Sequence, residues 1–166
     1  MQVHSEPETA GLLARLVADE LPNERGLRAW SALLRAQATL LRQLENDLSA
    51  ETGLALADFD VLAQLANAGG SLRMTDLANL ALISRSGMTR RVARLVAEGL
   101  VSRCSADADA RGVVVSLTDA GIGRLTETAP VHARGVAKLF VAQLNDQELE
   151  SLEAALRKVT FDCTFG

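Results

Sequence analysis

The sequence predicts a mainly α fold with a small β-wing, a winged helix-turn-helix joined to a helical dimerisation region. Three observations carry this. Apolar residues make up 48% of the 166-residue chain while aromatics are only 3% with no Tyr, so the core must be built from Leu, Val and Ala, which suits packed helices. Helical periodicity runs through most of the length. It breaks once, after Gly99, into two short β-branched segments around a polar loop.

The N-terminal arm, residues 1–26, offers Ser5-Glu6-Pro7-Glu8 as a helix start, with Ser as cap, Glu three later and Pro in the first turn. Leu12, Leu13, Leu16 and Val17 could line a short amphipathic helix that Leu21-Pro22-Asn23 stops, or the arm could be loose. From about Glu24 to Ala50, Leu27, Trp30, Leu33, Leu34, Leu40, Leu41, Leu44 and Leu48 recur at helical spacing, and Glu51-Thr52-Gly53 ends the run. A second helix fits Ala57 to Ala68, with Phe59, Leu62, Leu65 and Ala66 on one face and Gly69-Gly70 closing it.

Two short helices follow around a tight turn at Ala81-Leu82-Ile83. The first spans Met74 to Leu80, with Thr75 as its expected cap. The second is capped by Ser84, runs to about Glu98 and ends at Gly99. Leu100 to Cys104 then reads as a strand, Ser105 to Gly112 as a polar loop, and Val113 to Leu117 as the returning strand. Thr118 caps a helix expected to reach about Leu144 with Pro130 inside it, where a hydrogen bond must be lost. Asn145 and Glu148 open a last helix striped by Leu149, Leu152, Leu156 and Val159. The expected division is an arm over 1–26, a helical dimerisation region over 27–52 and 119–160, and a winged helix-turn-helix lobe over 53–118.

Charge distribution points to a polyanionic partner. The chain carries −4 overall, yet between Ser71 and Arg111 seven arginines face four acids, leaving that window at +3. A basic centre on an acidic scaffold suits local phosphate binding. On a helical wheel from Ser84 to Glu98, Met88, Val92 and Leu95 share one side with Val96 nearby. Ser86, Arg90, Ala93, Arg94 and Ala97 fall opposite, with Arg91 on a flank. Small residues let such a helix approach a surface closely, and the major groove admits one α-helix, where Arg can contact guanine or hold a phosphate. Ser84, Ser86 and Thr89 lie at the positive end of the helix dipole and can donate to phosphates or base edges. Arg85 adds a fourth arginine, and no acid interrupts Ser84 to Ala97. In the polar loop, Asp109 could hold Arg111 by a charge-assisted bond, and an Arg at a hairpin tip suits a narrow minor groove.

These segments resemble the MarR family of bacterial regulators. Asp109-Ala110-Arg111, five residues, then Leu117-Thr118-Asp119-Ala120-Gly121 look like its wing-to-helix pattern. Ser84 through Leu95 resembles its recognition helix, Glu98 through Arg103 the passage into the wing, and Leu54 through Leu62 the start of the second helix. The resemblance spans roughly Leu27 to Val159. It implies a triangular homodimer whose first, fifth and sixth core helices form the interface, bound to a short palindrome of double-stranded DNA, usually as a repressor. Two-fold symmetry then sets the recognition helices about one DNA turn apart. It also implies a small aromatic or phenolic effector, for which Trp30, Leu34, Phe59, Leu62 and His132 are candidate contacts. Ordinary core packing is the commoner role for scarce aromatics such as Trp30 and Phe59, and a surface or satisfied core position the commoner one for a residue such as His132.

No nucleophile–base pair, metal cluster, phosphate-binding glycine loop or paired carboxylates are evident, so neither catalysis nor a cofactor is expected. Cys104 and Cys163 lack metal-ligand spacing and read as reduced thiols or a redox sensor, without the N-terminal cysteine of the family's peroxide sensors. The N-terminus lacks a secretory apolar region and no apolar run reaches the ~18 residues of a membrane span, so the expected location is the cytoplasm, associated with the nucleoid. Two other readings stand beside the ligand-released repressor: a DNA-binding regulator without an effector, and a winged helix used for protein–protein assembly.

Overall fold

A computed structural model describes residues 12–16, 24–81, 84–105 and 112–164. The chain divides into two compact units, residues 1–41 and 42–166. The first holds a short helix α1 (Leu12–Leu16) and the start of α2 (Glu24–Thr52). Trp30, Leu33, Leu34 and Leu41 of α2 are exposed there. Of the 29 residues of α2, only Leu44 and Leu48 are buried.

The second unit opens with the end of α2. Thr52 donates its hydroxyl to the Leu48 carbonyl at 2.7 Å, and Gly53 turns out of the helix at φ 70°. Helix α3 (Leu56–Asn67) begins at Ala55, whose side chain cannot cap it. Glu45 does so from α2, accepting the Leu56 N–H at 2.8 Å. Gly69 and Gly70 end the helix at φ 82° and 97°, a region that side chains with a Cβ rarely adopt.

A strand that the sequence did not suggest follows, β1 (Ser71–Arg73). Three residues with one apolar side chain give no alternation to read. Tertiary pairing creates this strand, which adds to the edge of β3 (Val113–Leu117) with Leu72 opposite Val115. The other neighbour of β3 is β2 (Val101–Ser105), antiparallel with Val101 opposite Leu117, so the sheet order is β1-β3-β2. Residues 106–111, and with them the expected wing residues Asp109 and Arg111, lie outside the described residues. So do Leu82 and Ile83 of the expected turn.

Helix α4 (Met74–Leu80) has Arg73 at its cap position with no side-chain bond. Thr75 lies inside the helix instead of capping it, because β1 pairing carries extended backbone up to Arg73. Helix α5 (Arg85–Ala97) starts as expected, with Ser84 Oγ accepting the Gly87 N–H at 3.2 Å, and Gly99 follows at φ 74°. Helix α6 (Asp119–Leu139) is capped by Thr118, which accepts the Gly121 N–H at 3.0 Å. Pro130 is inside α6, which stops five residues short of the expected Leu144 and passes into a 3-10 turn, Val141–Gln143. Helix α7 (Asp146–Thr164) carries the reciprocal cap read from the sequence: Asn145 and Glu148 exchange backbone-to-side-chain bonds, both at 2.9 Å.

The core lies where α3, α4, α5 and the sheet meet. Leu62, Leu65, Leu77, Met88, Leu95 and Val115 are all fully buried, each worth roughly 1.5–3 kcal/mol of burial. Helix α6 is tied to its neighbours by polar bonds. Thr118 donates to the Gly99 carbonyl at 2.6 Å, Arg134 pairs with Glu51 at 2.7 Å, and Arg124 donates to the Thr52 carbonyl.

Candidate nucleic-acid interface

Helix α5 is set by its apolar edge. Met88, Val92 and Leu95 are fully buried, so rotation of the helix about its axis is fixed by the core. The opposite side is exposed and holds Ser84, Arg85, Ser86, Thr89, Arg90, Ala93 and Arg94. Its three hydroxyls are engaged locally. Ser84 Oγ caps the helix and lies 3.3 Å from Ser86 Oγ, while Thr89 donates to the Arg85 carbonyl at 2.9 Å and keeps its acceptor lone pairs.

The arginines divide into two pairs. Arg91 Nη1 lies 2.7 Å from Asp58 Oδ1, and Arg94 Nη2 is bonded to Asp58 Oδ2. Arg94 Nε also lies 4.0 Å from Glu98 Oε1. The wheel grouped Arg90 with Arg94, but the long side chain of Arg94 bends back toward α3. Among the described residues no carboxylate pairs with Arg85 or Arg90. These two therefore present uncompensated charge beside Ser86 and Thr89.

Asp58 is the residue that sequence reasoning missed. Its signal was available: Asp58, Val61, Leu62 and Leu65 stand at i, i+3, i+4 and i+7, so the carboxylate falls on the buried stripe of α3. A charge at such a position needs a partner. Arg73 is a further exposed arginine, at the N-terminal end of α4 beside the base of the wing. Its Nη1 lies 3.5 Å from where a Cβ on Gly112 would stand.

The effector candidates are placed as follows. Leu62 is sealed in the core. The Phe59 and His132 rings meet with centroids 4.6 Å apart and planes tilted by 35°. His132 Nδ1 is buried with no hydrogen-bond partner among the described residues. Burial pushes the His132 pKa down, against an opposing pull from Asp60. Trp30 and Leu34 are exposed on the unit of residues 1–41. Of the two cysteines, Cys104 is exposed on β2 as a free thiol, and the side chain of Cys163 lies outside the described residues.

A helix pair, a three-stranded sheet and an arginine-bearing second helix make up the candidate interface. The profile of the MarR family matches residues 52–112, from the end of α2 into the wing loop. A crystal structure of Sco3205 from Streptomyces coelicolor, a MarR family transcriptional regulator in complex with DNA, superposes with a TM-score of 0.77 at 32% identity, covering 83% of this chain and 87% of that one. The chain belongs to the MarR family. AbsC, a MarR family transcriptional regulator from the same organism, superposes with a TM-score of 0.80 at 29% identity over 87% of this chain and 97% of its own. BpsR from Bordetella bronchiseptica, whose DNA binding is regulated by 6-hydroxynicotinic acid, gives 0.71 at 25% identity, covering 80% and 98%. The MarR family fold thus accounts for the winged helix-turn-helix and for the long helices around it.

Proposed function

We propose that this MarR family chain is a homodimeric repressor that reads a palindromic operator through α5. One observation carries the reading: α5 buries three apolar side chains completely while presenting Arg85, Ser86, Thr89 and Arg90 to solvent, with no acid before Glu98. Such a helix can lie in the major groove, donate to base edges near its N-terminus and hold phosphates with its guanidinia. Arg111 is proposed to reach the minor groove from the wing, with Asp109 as its proposed carboxylate partner. Arg91 and Arg94 flank the contact. Sco3205, a MarR family regulator of the same fold in complex with DNA, supports DNA as the partner.

Residues 53–118 are proposed as the DNA-binding lobe, residues 27–52 and 119–160 as the dimerisation region, and 1–26 as an arm. The support is exposed apolar side chain. Trp30, Leu33 and Leu34 stand exposed on α2, and Leu156 and Val159 on α7. A groove of about 500 Å³ is lined by Phe140, Leu149, Leu152 and Leu156 together with polar side chains that include Glu153 and Arg157. Apolar surface of this kind marks an interface, and a second copy supplies the matching helices.

The protein is proposed to respond to a small aromatic or phenolic effector that touches Phe59 and His132, where an imidazole nitrogen with no partner among the described residues stands beside an aromatic ring. The regulation of BpsR by 6-hydroxynicotinic acid supports an effector of this size. The proposed location is the cytoplasm, and the proposed role is binding, not catalysis. Selection from a randomised duplex library with the purified chain tests the reading. Enrichment of a palindrome with half-sites about one turn apart supports it, and recovery of unenriched sequence overturns it.

A further inference from the structure

Asp58 is 4% exposed, yet its carboxylate touches two arginines of the helix proposed to read DNA. It is the third residue of α3, where the helix dipole favours a negative charge. Its two oxygens are divided between Arg91 and Arg94, three residues apart on one edge of α5. With Glu98 near Arg94, two guanidinium charges meet two carboxylates.

Stability alone is a poor account of this arrangement. Arg91 Nε is buried without a partner among the described residues, and a buried ion pair is often matched or surpassed by apolar side chains of similar volume. What the pairing does supply is direction. It turns two of the four α5 arginines toward α3 and locks the edge of α5 to that helix.

We propose that Asp58 is a positioning residue that sets DNA discrimination, by withholding Arg91 and Arg94 from the phosphates so that binding depends on Arg85, Arg90 and the groups around them. The inference rests on the DNA-reading role of α5. Sequence-independent affinity grows with each phosphate neutralised, whereas base contacts alone carry sequence information. An α5 with four free arginines would bind any duplex more tightly and choose among them less well.

The test uses the duplex that the full-length protein selects from a randomised library, and a scrambled duplex of the same length and composition. Asp58→Asn keeps the shape and removes the charge. It is expected to tighten binding to the scrambled duplex, to lower the preference for the selected one on the order of ten-fold, and to steepen the dependence of log K on log salt by roughly 0.9 for each arginine released to a phosphate. An unchanged preference and slope, or equal weakening on both duplexes, would overturn the proposal. Arg94→Gln serves where Asp58→Asn does not fold, because Arg94 is half exposed and Arg91 stays paired. Its salt slope is expected to match that of the unaltered protein, and a slope shallower by about one would make Arg94 a phosphate contact and overturn the proposal. If the unaltered protein selects no duplex, the DNA-reading role itself falls. Selection by the unaltered protein with an unmoved Asp58→Asn leaves that role standing and removes only the positioning one.

Discussion

Gly121, in the first turn of α6, lies so close to the Leu100 carbonyl oxygen that a Cβ built on it would overlap that atom. The contact sits where the strand β3 hands over to α6 and where Thr118 is bonded to the backbone of Gly99 and Leu100. A backbone carbonyl cannot swing aside as a side chain can. Gly121→Ala is therefore expected to destabilise the fold by about 1–3 kcal/mol through overpacking, lowering the thermal midpoint by roughly 2–4 °C per kcal/mol. Gly123, two residues on, has nothing within 4 Å of a Cβ. Gly123→Ala is expected to raise the midpoint, since it relieves the helix of glycine's entropy by about 0.5–1 kcal/mol. Thermal unfolding followed by circular dichroism measures both, and shifts of the same sign would contradict the contact.

Arg111 tests the wing. Arg111→Ala is expected to weaken binding to the selected duplex by ~1–3 kcal/mol, as for one well-ordered groove contact. A gel shift at fixed salt checks this, and unchanged affinity would remove Arg111 from the interface.

His132 gives a pH dependence with a defined sign. Burial lowers its pKa below the ordinary 6.5, so charging the imidazole is harder in the folded chain than in the unfolded one. Its neutral form contributes fully above 6.5, and that contribution is lost as pH falls from 6.5 toward the lowered folded value. His132→Gln should flatten the stability profile in that window relative to the unaltered protein. Urea unfolding at a series of pH values would show it, and parallel profiles would contradict the assignment.

The exposed apolar side chains of α7 predict an assembly. The full chain is expected to sediment as a dimer at micromolar concentration, and Leu156→Glu, in the groove lining, to shift it toward monomer with its far-UV spectrum intact. A monomeric unaltered protein would contradict the interface.

Much of this was legible in the sequence because it is local. The caps at Ser84, Thr118 and Asn145, the glycines after α3 and α5, and the buried edge of α5 all follow from residues within two helical turns. The misses are non-local. Strand β1 exists only because β3 offers it a partner 41 to 45 residues away. The cap of α3 comes from Glu45, eleven residues back. The direction of Arg94 depends on a carboxylate 36 residues earlier, and a wheel drawn on α5 alone cannot contain it. Asp58 was visible as an acid on an apolar stripe, although its partners were not.

The central claim is that α5 meets DNA through its free arginines, and Arg90→Ala tests it most directly. Fluorescence anisotropy against the selected duplex across a salt series is expected to show weaker binding for the variant at every salt concentration. If Arg90 holds a phosphate, the slope should also be shallower by roughly one for each contact removed. Affinity and slope equal to those of the unaltered protein would contradict the claim.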